Sequence, residues 1–403
     1  MQSIFSFWLV KLWRTSVLET TVSEQSVDWD VKSPIYFEYK VKLCNNCFDL
    51  EDDFLASFSV YDDIKERLLI VDDGLPTEFI QSFKNYLKSF GQEAVIIRFL
   101  TNENTKNLDL LLSILSEIEK FGVPRRGNPI LALGGGVLLD TVGFAASMYR
   151  RGVPYIKIPT TLLSLVDTAI GIKTSVNHFG RRNRIGSFYP GIGAVISPIF
   201  LKTLPVEHFS YGLAEIIKIA IVKSQKLFEL LENNQENLLD YKFYDTDEGL
   251  KVIQLACHYM LEELAPNLTE TNLERLVDFG HTFSPIPEMK SLEDNTVHEL
   301  AHGEAVFLDV IFTSCMGQIL GHTNKSLVKR IINLGKHAGL PISHPYFNDP
   351  MLLFESSNDA KKHRAGSVNL PVPCELEQII FLENINFSLI EETVKIMQVH
   401  IDE

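Results

Sequence analysis

The chain lacks the features by which several large protein classes are known. Positive charge is not in excess: 37 Lys and Arg stand against 52 Asp and Glu, a formal net charge of −15. A nucleic-acid partner demands a basic face, so that class is excluded. Anionic small molecules stay open, because a pocket can gather a few cations within an acidic whole. Cysteine is scarce too. The five residues, Cys44, Cys47, Cys257, Cys315 and Cys374, are odd in number and irregularly spaced, which rules out a disulfide framework and suits a reducing compartment. Cys44 and Cys47 form a single CxxC with no second pair, and half a metal motif reads as a loop. The apolar run Ile4–Val10 has no preceding positive charge, no small-residue cleavage site and too little length for a bilayer. The expectation is a cytoplasmic protein with no membrane partner. Internal repeats, low-complexity tracts and a GxGxxG fingerprint are also missing.

What is present is a change of character along 403 residues, a length that suits two domains. Residues 1–30 read as a loosely ordered leader, and Ile35–Val41 alternates like a strand. Strands at Arg67–Val71, Ala94–Leu100 and Pro129–Leu133 then alternate with helical patterns at Phe79–Phe90 and Leu108–Phe121. That alternation predicts an α/β domain on a parallel sheet over residues 31–200, with ligands at the carboxyl ends of its strands. Beyond the proline-flanked connection Ser197–Pro205, helical periodicity dominates at Tyr211–Val222, Gly249–Glu263, Gly303–Leu320 and Ser326–Ala338. Residues 201–403 are therefore predicted to be mostly helical.

Two constellations carry chemistry. Gly134-Gly135-Gly136 lies between a strand and a helix, where glycines let the backbone approach a diphosphate at a helix start. A tight turn packed for its own sake fits the same residues. Asp72 ends the first strand, Glu103 and Lys106 follow the second, and carboxylates at strand ends can take ribose hydroxyls. The second constellation is a carboxylate and two imidazoles: Glu215 in an otherwise apolar helix, His281 in Asp278-Phe279-Gly280-His281-Thr282-Phe283, and His302 ahead of Gly303-Glu304-Ala305-Val306. Three such ligands leave zinc the open positions that catalysis needs, although each alone reads equally well as a satisfied core residue. Lys218 shares the helix face of Glu215. His298-Glu299-Leu300-Ala301-His302 matches HExxH, but no third ligand is suitably placed downstream, and a peptidase has no use for a nucleotide-binding half.

Taken in order, the blocks from Gly134 through GVPYIKIPTTLLSLVDTAIGIKTSVNH, then GRRNRIGSFYP, GLAEIIKIAIV, LEELAPNLTETNLERLVDFGHTFSP and HGEAV resemble the sugar-phosphate cyclase superfamily, whose best-known member is 3-dehydroquinate synthase. The likeness runs from about residue 35 to 382. It implies an N-terminal NAD-binding α/β domain, a mostly helical metal-binding domain and a homodimer. By motif, Glu215, His281 and His302 become ligands of Zn2+ or Co2+. Gly134, Gly135, Gly136, Asp140, Thr160 and Thr161 line NAD, with Arg182 and Thr203 as further contacts and Asp72, Glu103 and Lys106 near the adenosine end. Asp167, Lys173, Asn183 and Lys218 face the hydroxyls and phosphate of a small sugar phosphate, and Arg151 reaches the neighbouring subunit's site.

Departures from the pattern narrow the branch. Positions at which 3-dehydroquinate synthase handles a substrate carboxylate are here Met260, Glu274 and Asp278, and the second His of its motif is Pro285. Juxtaposed like charges cost on the order of several kcal/mol, so the substrate is expected to lack that carboxylate. MLEELAPNL, Asp278 and a late His363 resemble the valiolone-forming cyclases of sedoheptulose 7-phosphate. The sister desmethyl-4-deoxygadusol-forming branch and 3-dehydroquinate synthase are the alternatives. The resemblance implies a carbon–oxygen lyase acting on phosphates, running through transient NAD oxidation, phosphate elimination, reduction and an intramolecular aldol, with His363 assisting proton removal. A metal-dependent alcohol dehydrogenase is the competing class. An insertion near Glu293–Val297 leaves His298 as a conceivable substitute for His302.

Overall fold

The structure, a computed structural model, describes residues 17–22, 27–33, 35–57, 65–364 and 366–402. The chain divides into two units, Met1–Glu38 and Tyr39–Glu403. In the first, strands β1 (Val17–Val22) and β2 (Val27–Lys32) pair antiparallel with Val17 opposite Lys32. The expected loose leader is thus corrected in its second half, where a two-stranded ladder satisfies the backbone. The apolar run at 4–10 lies outside the described residues.

The second unit begins with β3 (Lys40–Leu43), α1 (Phe54–Ser57), β4 (Glu66–Asp72), α2 (Thr77–Ser89), β5 (Glu93–Phe99), α3 (Leu108–Phe121), β6 (Ile130–Gly134), α4 (Gly136–Met148), β7 (Tyr155–Pro159) and α5 (Leu162–Val166). A hairpin of β8 (Lys173–His178) and β9 (Arg181–Phe188) follows, then β10 (Gly193–Ile196). The main sheet has the order β3-β10-β7-β6-β4-β5, and all its pairings are parallel. Leu68–Val71 and Ile130–Leu133 are buried throughout, the continuous apolar runs that a sheet covered on both faces requires. The strand expected at Ile35–Val41 is found at Lys40–Leu43, and Ile35 and Tyr36 are exposed outside it. The β8–β9 hairpin was not foreseen: Arg181-Arg182-Asn183-Arg184 reads as a polar loop, and only its backbone ladder makes it a strand.

After β10 the chain turns through Pro198–Thr203 into helices α6 (Val206–Lys223), α7 (Gln225–Asn233), α8 (Asp247–Leu264), α9 (Pro285–Glu293), α10 (His302–Ile319), α11 (Lys325–His337), α12 (Pro350–His363) and α13 (Phe387–Asp402). One antiparallel hairpin, β11 (Leu370–Glu375) and β12 (Gln378–Leu382), interrupts them. Helices α6 and α10 are apolar nearly all round and form the centre of the largest core, as helices of that composition must. Their approach depends on Gly303, where a Cβ would lie 2.3 Å from the carbonyl oxygen of Tyr211. No helix among the described residues is long and apolar enough to cross a membrane.

Gly303→Ala would force that contact open. Overpacking of a filled core costs about 1–3 kcal/mol, so we expect a lower thermal and urea midpoint. An unchanged midpoint would mean that the two helices do not meet there.

Candidate active site

Parallel register aligns the carboxyl ends of the strands. Asp72 pairs with Phe99, and Gly134 with Pro159. Chain order reverses between β4 and β6, so the crevice opens between Asp72 and Gly134, where open α/β sheets take their ligands. Three glycines shape it. A Cβ on Gly134 would lie 3.1 Å from that of Asp72, one on Gly135 3.3 Å from Thr161 Cγ2, and one on Gly136 3.0 Å from Thr168 Oγ1. Gly135 caps α4 without any side-chain hydrogen bond, which leaves the first amides of the helix to an anion. Thr160 N donates to Gly134 O at 3.0 Å, and Thr161 caps α5. Thr203 is exposed at the end of the turn after β10.

Across the crevice, α6, the bend before α9 and the start of α10 bring Glu215, His281 and His302 together, their ligand atoms all within 4.8 Å of one another. His281 Nε2 is 3.6 Å and His302 Nε2 3.7 Å from Glu215 Oε1. The Nδ1 of His281 lies 3.2 Å from the carbonyl of Phe279, and that of His302 lies 3.2 Å from Glu288 Oε2. Metal ligation through Nε2 requires each Nδ1 to carry the proton, and with it there both Nε2 lone pairs face the carboxylate. In the other His302 tautomer Arg182 Nη1, 2.6 Å from Nδ1, would donate to that nitrogen. Burial, then Lys218 and His302, hold the His281 pKa well below the usual imidazole range, so the ring is neutral, as a ligand must be. Glu215 is 1% exposed, and neither of its oxygens accepts a hydrogen bond. Lys218, one turn on, forms an ion pair with Oε2. A buried carboxylate with one oxygen held by Lys218 and the other, Oε1, turned to two imidazoles fits a divalent cation.

The His281 loop is clamped from below. Asp309 Oδ2, wholly buried in α10, accepts from the amides of Thr282, Phe283 and Ser284 at 2.9, 2.6 and 3.0 Å. Burial raises its pKa to about 6. His298 takes no part. It is 70% exposed and lies before α10 begins, with Glu304 3.5 Å away. The HExxH run is therefore not on one helix face. The segment at 293–297 folds back instead: Tyr346 donates to Asp294, and Val297 packs on the cluster of Ile286, Tyr346 and Leu352.

The cleft between these groups holds about 560 Å³ and is lined by Asp140, Asp167, Lys173, Arg182, Asn183, Lys218, Asp278, His281, His302 and His363, among others. Lys106 Nζ donates to Asp140 Oδ2 at 2.6 Å and to Asn183 Oδ1 at 2.7 Å. Arg182 pairs with Glu103 at 3.0 Å and with Glu288 at 2.6 Å. Of the residues expected near the adenosine end, Glu103 and Lys106 belong to this charged network, whereas Asp72 accepts from Thr101 and from the amide of Gly74. Arg151 is exposed and outside this cleft, on a corner where Arg150, Arg151 and Gly152 have φ of 51, 64 and 118°.

The charge argument from Glu274 and Asp278 needs correction. Glu274 is exposed, and its neighbour Arg275 lines the cleft instead. Asp278 is neutralised by Arg275 at 2.5 Å and Arg364 at 3.2 Å, so it is not a bare anion facing the substrate. Glu270 likewise lies against Arg275 and is 3.1 Å from Lys173. Sequence reasoning missed Glu270, Arg275, Glu288, Asp309 and Arg364. For Asp309 the available signal was a carboxylate in an apolar helical stretch.

This architecture is that of the sugar-phosphate cyclases, and the chain belongs to that family. The 3-dehydroquinate synthase N-terminal profile matches residues 96–211, and the C-terminal one residues 212–362. Among the relatives, the chain is 36% identical to the 2-epi-5-epi-valiolone synthase of Streptomyces albus, over 93% of this chain and 92% of that one. It is 29% identical to the demethyl-4-deoxygadusol synthase of Trichormus variabilis, over 92% and 90%. The solved structure of ValA, 2-epi-5-epi-valiolone synthase from Streptomyces hygroscopicus subsp. jinggangensis 5008 with NAD+ and Zn2+ bound, superposes with a TM-score of 0.84 at 35% identity. It covers 92% of this chain and 99% of that one.

The Arg182 pair gives a pH signature. Burial opposes ionisation of Glu103, but Arg182 and Lys106 outweigh it and hold its pKa at about 2, against 4.5 for a free Glu. A depressed carboxylate stabilises the fold fully above the unfolded value, and the gain is lost as pH falls from about 4.5 to about 2. The gap in unfolding free energy between wild type and Glu103→Gln is therefore expected to be about 3 kcal/mol at neutral pH and to close across that window. A gap independent of pH would show that the pair does not hold Glu103 ionised.

Proposed function

We propose that this protein is a 2-epi-5-epi-valiolone synthase-like lyase that converts sedoheptulose 7-phosphate into a C7 cyclitol and phosphate. The observation that carries the reading is the buried Glu215 carboxylate, whose Oε1 faces the Nε2 atoms of two imidazoles, across a crevice from a glycine turn. When bound, NAD+ would accept and return a hydride, and Zn2+ or Co2+ would acidify a substrate hydroxyl. Glu215, His281 and His302 would hold the metal. The free amides at the start of α4 would take the diphosphate, with Thr160, Thr161 and Asp140 beside them.

The remaining residues orient the substrate. Lys173 and Asn183 reach the cleft from the β8–β9 hairpin, and Lys106 fixes the amide of Asn183. Together they suit a phosphate, which needs localised cations in an acidic protein. Asp167 and Lys218 lie within reach of sugar hydroxyls. His363, exposed on the last turn of α12 and lining the cleft, would take a proton as phosphate leaves. We further infer a cytoplasmic homodimer, in which Arg151 would serve the neighbouring subunit's site. Five free cysteines suit that compartment.

Purified protein supplied with sedoheptulose 7-phosphate, NAD+ and Zn2+ is expected to release phosphate and form a cyclitol identified by mass spectrometry, with no build-up of NADH absorbance. A steady rise in NADH would point to a dehydrogenase instead, and a demethyl-4-deoxygadusol product to the sister branch. Glu215→Ala should lose bound metal and activity together, as should chelation of the wild type. Metal content unchanged in that variant would overturn the ligand set.

A further inference from the structure

Glu288 touches neither the metal position nor the glycine turn directly, yet it joins the two halves of the site. It is 3% exposed and lies on α9, one turn beyond the His281 loop. Oε2 is 3.2 Å from His302 Nδ1, and Oε1 is 2.6 Å from Arg182 Nη1. Arg182 Nη1 also comes within 2.6 Å of His302 Nδ1. If that nitrogen carries the proton, both groups are donors and the Glu288 carboxylate is what they share. Arg182 in turn holds Glu103 through Nε at 3.0 Å and Nη2 at 3.3 Å. Asn177 adds a 2.7 Å bond to Glu103. The result is a chain from a ligand on α10, through α9 and β9, to the turn that follows β5 at the carboxyl edge of the sheet.

We propose that Glu288 is a positioning residue that serves both cofactor sites. Accepting from Nδ1–H fixes the His302 tautomer with Nε2 free for the metal, as carboxylates behind metal-bound histidines do. The same carboxylate anchors Arg182, and through it Glu103, so neutralising Glu288 loosens both ends of the chain. Metal and dinucleotide then bind with a shared dependence on one residue, and their affinities are coupled reciprocally. Gln at this position keeps the size and one acceptor oxygen. It loses the negative charge that lets two cationic or polarised donors converge, so the variant tests charge rather than bulk.

The inference rests on the proposed metal and dinucleotide, and binding to the wild type is measured first so that the two ideas fail separately. Zn2+ affinity is measured by chelator competition, and NAD+ affinity by calorimetry with and without metal, neither needing substrate. Glu288→Gln is expected to weaken Zn2+ binding about 10–100-fold, the range for partners behind metal ligands. It should also weaken NAD+ binding several-fold and shift the visible d–d spectrum of the Co2+-loaded protein. Lys290→Gln, an exposed change on the same helix, should leave all three unchanged, and a far-ultraviolet spectrum and melt confirm that each variant is folded. Should Glu288→Gln misfold, Glu288→Asp, which keeps the charge on a shorter arm, should retain coupling with a smaller loss of metal affinity. Wild-type affinity for Zn2+ in a folded Glu288→Gln protein overturns the proposal. Weakened Zn2+ with unaltered NAD+ overturns the shared role. A wild type that binds neither cofactor refutes the functional reading instead.

Discussion

A carboxylate withdrawn from water and given no hydrogen bond is costly unless a cation meets it, and Glu215 is in that position on a helix that is buried along most of its length. Lys218 offsets part of the cost from one side. The other side faces two imidazole nitrogens with their lone pairs turned inward, which can offset nothing by themselves. Much of the helical half is arranged around this point. Gly303 lets α10 close on α6, and Asp309 spends its carboxylate on three amides of the loop that carries His281. The fold holds the ligands at a spacing that only an ion completes.

The sheet half meets this centre through charge rather than apolar packing. Lys106, Arg182 and Glu103 are largely buried, and each is paired. Pairs of that kind add little net stability compared with apolar side chains of the same volume, but removing one member leaves a buried charge unmatched. They therefore fix geometry more than they contribute stability, and the β8–β9 hairpin that carries Arg182 and Asn183 is held over the cleft by them. Arg182 itself is strongly held as a cation: burial alone would lower its pKa, and Glu288 and Glu103 raise it.

Much of this was legible beforehand where a short local pattern carries the physics. The strands at 66–72 and 130–134 announce themselves as unbroken apolar runs between turn residues, and α3 begins and ends at the residues its periodicity gives. The glycine turn was visible for the same reason. The β8–β9 hairpin was not, because its outer residues are charged and its pairing rests on backbone bonds. Glu288 and Asp309 were hidden differently. Each is a buried carboxylate whose importance depends on which amide or imidazole the fold brings to it from elsewhere in the chain. HExxH misled for the converse reason, since it presumes a helix that the structure starts only at His302.

Charge around the cleft shows most plainly why residue type alone is a poor guide to specificity. Counting acids at Glu274 and Asp278 suggests a surface that repels a carboxylate. In the folded chain Asp278 lies between two guanidinium groups, and Glu270 between Arg275 and Lys173. Arg275 is shared, so three cations face two carboxylates and the wall is not acidic, and discrimination must come from which donors still have capacity to spare. A substrate carboxylate would have to compete with Asp278 for Arg275 and Arg364, whereas a hydroxyl could accept from the same guanidinium groups without displacing it. That difference, a competition for donors rather than a repulsion between like charges, is a sounder physical basis for preferring a substrate without a carboxylate at this wall.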